Sequence, residues 1–344
     1  MSLAAAPAVS RLIGERTRRK DIANWVSGAG ALALAGWLVL ALLIESLAAP
    51  VSAWVAPDAL VESETRAYLR LSALGLPFIG AFLFLRNMLE AHSVSRPIMW
   101  LGVAALPINA LLDTLLIHGY GPLPAMGAAG CGLATAIVQT LLGFGVWWTL
   151  RRHTATRDLR LTVFWKEVEL QWPIAKDYLR LGGPVGLSLT AESSLFALGG
   201  LLMARYGTAA VGAHQICITV AALVFMVQVA LGQATAVLLG RAMGARDAEA
   251  LIQTARLGVG LGLILALAVC TGFLLGRNAI PALFSTDPAV LEFGAVFMVW
   301  AAAFHLSDAM QAIHAATLRG IHETQAILRL TLVAYFFVSI PVSV

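Results

Sequence analysis

The chain has 344 residues, of which 59% are apolar and only 12% charged. A soluble globular chain carries about 25% charge, so the solvating shell of a water-soluble protein of this size is missing. The mean hydropathy of +0.83 agrees, and the composition places the chain in a membrane.

At the start, MSLAAAPAVSRLIGERTRRKD is too short and too basic to span, and it lacks an h-region ending in a cleavage site. It reads as the cytoplasmic end of a helix whose beginning is absent. A bilayer core about 30 Å thick needs roughly 20 apolar residues in a helix. Runs of that kind cover 27–49, 68–89, 97–118, 126–150, 181–204, 208–239, 257–276, 292–316 and 326–344. These nine candidate spans are rich in Gly, Ala and Ser and hold internal prolines such as Pro77, Pro107 and Pro184. Small residues let membrane helices approach closely, and neighbouring groups re-satisfy backbone freed by proline. A β-barrel would instead alternate apolar and polar residues in segments of about ten. The last run stops at Val344 inside an apolar stretch, so both ends of the sequence read as cut.

Orientation follows from the basic residues. If alternate connections face the cytoplasm, segments 11–20, 86–96, 151–180, 241–256 and 319–329 hold nineteen of the 23 Lys and Arg. Arg66, Arg70, Arg205 and Arg277 fall on the other side, where the connection Pro57 to Glu64 is acidic. This asymmetry accounts for the net charge of +4 through membrane orientation, without a nucleic-acid partner. The alanine-rich, arginine-preferring composition points to a GC-rich bacterium, hence a multi-pass protein of the inner membrane.

Cys131, Cys217 and Cys270 lie far apart in apolar stretches with no CxxC pair and read as small hydrophobes. The seven histidines show no HxxxH or HxxEH spacing, which argues against metal catalysis. With no polar cluster at one interface, no enzyme, catalytic residue, metal site or cofactor is expected.

Two internal similarities indicate a duplication. Leu12-Ile13-Gly14 followed by Asp21 matches Leu238-Leu239-Gly240 followed by Asp247, 226 residues on. Leu89 to Pro97 resembles Leu318 to Ala326, 229 residues on. Each half is then a bundle of six helices, and nine of a parental twelve are present. Residues 1–150 form an N-terminal lobe, 151–177 a basic and aromatic interfacial connector, and 178–344 a C-terminal lobe.

Inside the spans, ionisable groups are costly, about 2.5–3.5 kcal/mol on insertion scales, and they mark cavities or partners. Glu192, in SLTAESSLF, sits half-way along 181–204; Asp308, flanked by His305 and Ser307, is equally deep in 292–316. The alternatives are a protonated Glu192 bonded to Ser188 or Ser193, and an Asp308 satisfied within the bundle. Asn109 and Asp113 are spaced i, i+4 and share a helix face, with Thr135 on the next span. Gln215 is a polar group at the start of a long helix. His305, three residues from Asp308, is a better functional candidate than His214. Met203, Phe225, Met226 and Met310 offer adaptable apolar surface for a drug cavity.

Three stretches carry a family resemblance. LRLGGPVGLSLTAESSLFALGGLLMARYGTAAVGAHQ (Leu179 to Gln215) resembles the seventh and eighth helices of the multidrug and toxic compound extrusion (MATE) transporters, NorM-like branch. NALLDTLLIHGYGPLPAMGAAGCGLAT (Asn109 to Thr135) resembles their fifth and sixth, and FHLSDAMQAIHAATLRG (Phe304 to Gly320) their tenth. The resemblance implies an all-α integral membrane protein of two six-helix lobes with pseudo-two-fold symmetry and a cavity opening alternately to each side. It also implies expulsion of amphipathic, often cationic drugs by a monomer in the lipid bilayer, in exchange for Na⁺ or H⁺.

Within this likeness, Glu192 and Asp308 match the cation or proton site of the C-terminal lobe. Two neighbouring carboxylates raise one pKa, and carboxylate oxygens suit a hard cation. Asn109, Asp113 and Thr135 match an oxygen-rich site of the first lobe, completed in the family by an aspartate on a helix absent from this chain. Gln215, Phe304, His305 and Met310 are expected to line the cavity, although Phe304 stands where the NorM-like pattern often has tyrosine. A lipid-linked oligosaccharide flippase of the same superfamily, or an incomplete transporter without activity, is the alternative.

Overall fold

The computed structural model describes residues 2–56, 58–121, 124–154, 156 and 172–334, and no strand occurs among them. The helices are α1 (Ala5–Gly14), α2 (Arg19–Val55), α3 (Ala59–Ala91), α4 (Arg96–His118), α5 (Gly127–Arg152) and α6 (Trp172–Met203). They continue with α7 (Thr208–Ala245), α8 (Ala248–Leu275), α9 (Ala279–Ala282), α10 (Pro288–Gly320) and α11 (Thr324–Ala334). Every expected span falls within one helix to within a residue, as far as it is described. The end of the last span and most of the 151–177 connector lie outside the described residues. Among the described residues seven helices (α2, α3, α4, α5, α7, α8 and α10) are long and apolar enough to cross a bilayer.

Carboxylates set several helix starts. Asp58, Asp247 and Asp287 accept hydrogen bonds from the backbone N–H groups of Val61, Ala250 and Ala289 at 2.8, 2.9 and 2.9 Å, satisfying donors that a helix start leaves free. The acidic connection read as an outer loop is in part capping chemistry: Glu64 accepts from the Ala128 N–H at the start of α5, at 2.9 Å.

By contact, the chain divides into two units: Ser2–Ala6 with Thr17–Tyr178, and Pro7–Arg16 with the described residues from Leu179 on. In the first unit α3 and α5 run parallel, because contacts of Tyr68 with Gly132, Gly75 with Ala136 and Phe78 with Gly143 ascend together. A Cβ on Gly132 would lie 2.8 Å from the Tyr68 carbonyl oxygen, so only glycine permits this approach. At the end of this unit the Trp25 indole donates to Asp177 at 3.0 Å, and Tyr178 packs edge-on against Trp25 and Phe84.

In the second unit α10 packs on α7 and α8 around Cys217, Phe273, Met298 and Ala302. Pro184 has no N–H for the carbonyl of Arg180 one turn earlier. The Thr324 hydroxyl donates to that oxygen instead, at 3.4 Å, and ties the start of α11 to α6.

The segment Pro7–Arg16 packs along the end of α7. Gly14 abuts the Arg241 carbonyl and Gly244 the Arg11 carbonyl, while Gly240 abuts the Pro7 carbonyl and the Ser10 hydroxyl donates to the Val237 carbonyl at 2.7 Å. Shifted by 230 residues, each contact maps onto its counterpart: Gly14 with Arg241 becomes Gly244 with Arg11. The contact is locally self-complementary, as a two-fold relation requires.

Backbone turns give the same register. Left-handed residues stand at Arg16 and Arg246, 230 apart, and at Ser93 and His322, 229 apart. The 229 spacing is the one read from sequence. The 226 spacing is corrected by one helical turn: in Leu/Gly/Ala-rich helix ends residue identities recur each turn, whereas a left-handed residue occupies one position.

A side chain at Gly244 has no room, whereas a Cβ at Gly260 meets nothing within 4 Å. Gly244→Val is therefore expected to destabilise by about 1–3 kcal/mol through overpacking, and Gly260→Ala to be neutral or mildly stabilising. Thermal unfolding of the two purified variants in detergent checks this; equal Tm values would contradict the packing described.

Candidate functional site

A cavity of about 560 Å³ lies within the second unit, bounded by α6, α7 and α10. From α7 come His214, Cys217, Ile218, Ala221, Ala222 and Phe225, and from α10 Phe297, Trp300, Ala301, Phe304, His305 and Asp308. Both sets follow the same helical stripe, i, i+3, i+4, i+7, i+8, i+11, so each helix turns one continuous face to the space. Opposite them α6 supplies Glu192, Phe196 and Met203. The wall is mainly apolar and aromatic, with Glu192 and Asp308 the only oxygen-bearing side chains among the lining residues.

Asp308 is 9% exposed, and neither it nor Glu192 makes a hydrogen bond to a described residue. Both carboxylates face the same space, and the Glu192 charge bears unfavourably on that of Asp308. Ser188, one expected partner for a protonated Glu192, donates to the Pro184 carbonyl at 2.9 Å instead. His305 is 2% exposed and wedged edge-on between Phe225 and Phe273, with ring centroids at 6.5 and 5.8 Å. Its Nε2 is buried without a hydrogen-bond partner among the described residues. Phe304 packs edge-on against Phe196 at 5.8 Å, joining α10 to α6 through rings alone.

Of the expected lining residues, Phe304 and His305 take that place, as do Met203 and Phe225. Gln215 and Met310 do not, and neither does Met226. Gln215 is one residue off the α7 stripe, and its amide is turned to the Thr219 hydroxyl at 3.5 Å. Met310 is two residues past Asp308, about 200° round the helix. Trp300 and Cys217 were missed by sequence reasoning; the repeating stripe was the signal that held them.

In the first unit α4 brings Asn109 and Asp113 together: the Asn109 amide donates to Asp113 Oδ2 at 2.6 Å. Asp113 Oδ1 is buried with no hydrogen-bond partner among the described residues. Cys131, taken from sequence for a small hydrophobe, interacts with the Asp113 carboxylate across from α5. Thr135 stands half-buried one turn beyond Cys131, with no hydrogen bond to Asn109 or Asp113 among the described residues.

Filling the cavity tests its outline. Ala222→Trp is expected to weaken binding of an apolar fluorescent cation at least tenfold, and Gln215→Ala to leave it unchanged, by fluorescence polarisation on purified protein. The reverse ranking would place the binding face elsewhere on α7.

Comparison with known proteins agrees with this architecture. A family profile described as MatE matches residues 184–344. The chain is 30% identical over 339 residues to "Multidrug resistance protein MdtK" of Yersinia pseudotuberculosis, covering 98% of this chain and 74% of that protein. It is 33% identical over 285 residues to "Probable multidrug resistance protein NorM" of Bradyrhizobium diazoefficiens, covering 80% of this chain and 60% of the relative. The crystal structure of the eukaryotic MATE transporter AtDTX14 superposes with a TM-score of 0.85 at 17% identity, over 99% of this chain and 74% of that one. That likeness shows the fold alone. The chain spans 60 and 61% of the length of the two NorM relatives it matches.

Proposed function

Because this chain belongs to the MATE family of transporters, in its NorM-like branch, we propose that the protein expels amphipathic, cationic compounds in exchange for Na⁺ or H⁺. The protein is a multi-pass protein of the bacterial inner membrane. The observation that carries the proposal is the placing of Glu192 and Asp308, two adjacent acids in the wall of an otherwise apolar, aromatic cavity.

Two carboxylates that repel one another at low dielectric hold a shared cation or proton tightly. With the ion bound, half of their charge is offset, and the rest of the cavity wall presents rings and aliphatic surface. When the ion leaves, the restored negative charge favours a cationic drug, whose apolar body suits Phe196, Phe297, Trp300 and Phe304. Ion and drug thus bind in alternation, which is the linkage an exchanger needs. Phe304 contributes a ring and no oxygen, so among the lining side chains the oxygen ligands for Na⁺ are those of Glu192 and Asp308, to which the His214 and His305 rings add nitrogens for H⁺. Asn109 and Asp113, with Cys131 and Thr135 near, form the candidate second ion site in the first unit.

A flippase for lipid-linked oligosaccharides handles an anionic headgroup. No Lys or Arg is among the residues lining this cavity, which favours cationic drugs.

Glu192→Gln and Asp308→Asn are each expected to lower dye efflux by ten-fold or more in liposomes containing the intact transporter under imposed Na⁺ and pH gradients. Rates equal to the unmodified protein under both gradients would sink the assignment. Whichever gradient drives efflux identifies the coupling ion.

A further inference from the structure

What holds Glu192 when the exchanged ion has gone is a question that rests on the coupling proposed above. Arg319 stands in the last turn of α10, eleven residues after Asp308. Eleven residues bring a helix back to within about 20° of the same face, about 16 Å along the axis. Arg319 Nε is buried and makes no hydrogen bond to a described residue. No ion pair among the described residues includes it. A cation at a helix C-terminus is ordinary, but a buried guanidinium nitrogen without an acceptor is costly.

The charge that offsets it is Glu192, with which Arg319 interacts electrostatically. The geometry is favourable. Contacts of Arg180 with Thr324 and of Phe196 with Phe304 show that α6 and α10 run in opposite directions. Glu192, four residues before Phe196, is therefore level with Asp308, at the end of the stretch of α10 that leads to Arg319. Side chains tilt toward the N-terminus of their own helix, so on antiparallel helices Arg319 leans up toward Glu192 and Glu192 leans down toward Arg319. The other ionisable groups of the cavity wall are Asp308 and His305 on α10 and His214 and Cys217 on α7.

We propose that Arg319 is a resident counter-charge that competes with the exchanged ion for Glu192 and so promotes its release. It is a positioning residue: the drug and the ion meet Glu192 and Asp308, and Arg319 acts through Glu192.

The test uses liposomes holding the intact transporter and the gradient, Na⁺ or H⁺, that drives dye efflux. In Arg319→Gln the half-saturating concentration of that ion is expected to fall about tenfold, while the maximal rate drops, because the ion is held more tightly and leaves more slowly. Arg319→Lys, which keeps the charge, is expected to restore both values toward those of the unmodified protein. In a Glu192→Gln background, Arg319→Gln should shift half-saturation no further. Arg319→Met gives the same readout if Arg319→Gln does not accumulate. An uncharged variant whose half-saturation is unchanged or weakened, in a transporter that the gradient does drive, overturns the counter-charge alone. If neither gradient drives the unmodified transporter, the coupling itself fails, and the counter-charge with it.

Discussion

A carboxylate in the hydrocarbon interior persists only where another charge, a proton or an ion shares it. Glu192 and Asp308 face the same 560 Å³ cavity, and Asp308 carries the added burden of the Glu192 charge, while the charge set against Glu192 is that of Arg319. The instability is local, and in the proposed exchange a small mobile cation relieves it. Much of the second unit's architecture at this point surrounds those two acids with apolar and aromatic side chains.

The helices achieve this with few polar bonds. The stripes of α7 and α10 place rings and small side chains on either side of the acids, and His305 is wedged between Phe225 and Phe273. On α6 the missing N–H of Pro184 is compensated by Thr324. That bond holds the lower part of α6 near α11, while Phe196 against Phe304 is the ring contact higher up. Between these two points lies Glu192, on a stretch of helix facing the cavity.

Much of this was legible in the sequence, for definite reasons. Spans announce themselves because twenty apolar residues in a row have few other uses, and Glu192 and Asp308 stand out because charges are so scarce there. Facing was harder. Gln215 and Met310 sit beside residues that do line the cavity, and a one- or two-residue step on a helix turns a side chain by about 100° or 200°. Cys131 looked like a hydrophobe because nothing in the sequence places it against Asp113, eighteen residues earlier on the preceding helix. The spacing of the repeat slipped at its first turn because Leu and Gly recur with the helical period, while the backbone at Arg16 and Arg246 carries the register unambiguously.

The crossing of Pro7–Arg16 with the end of α7 has a mechanical consequence. Backbone meets backbone there at Gly14, Gly240 and Gly244, and the short Ser10 side chain bonds the Val237 carbonyl, which leaves little to absorb a displacement. Such a joint resists sliding, since a shift along either axis would drive a carbonyl oxygen into a neighbouring Cα. It opposes tilting as well, because the contacts are spread over residues 7–14 and 237–244. Pro7–Arg16 and the end of α7 therefore travel as one piece in any rearrangement that leaves these contacts intact.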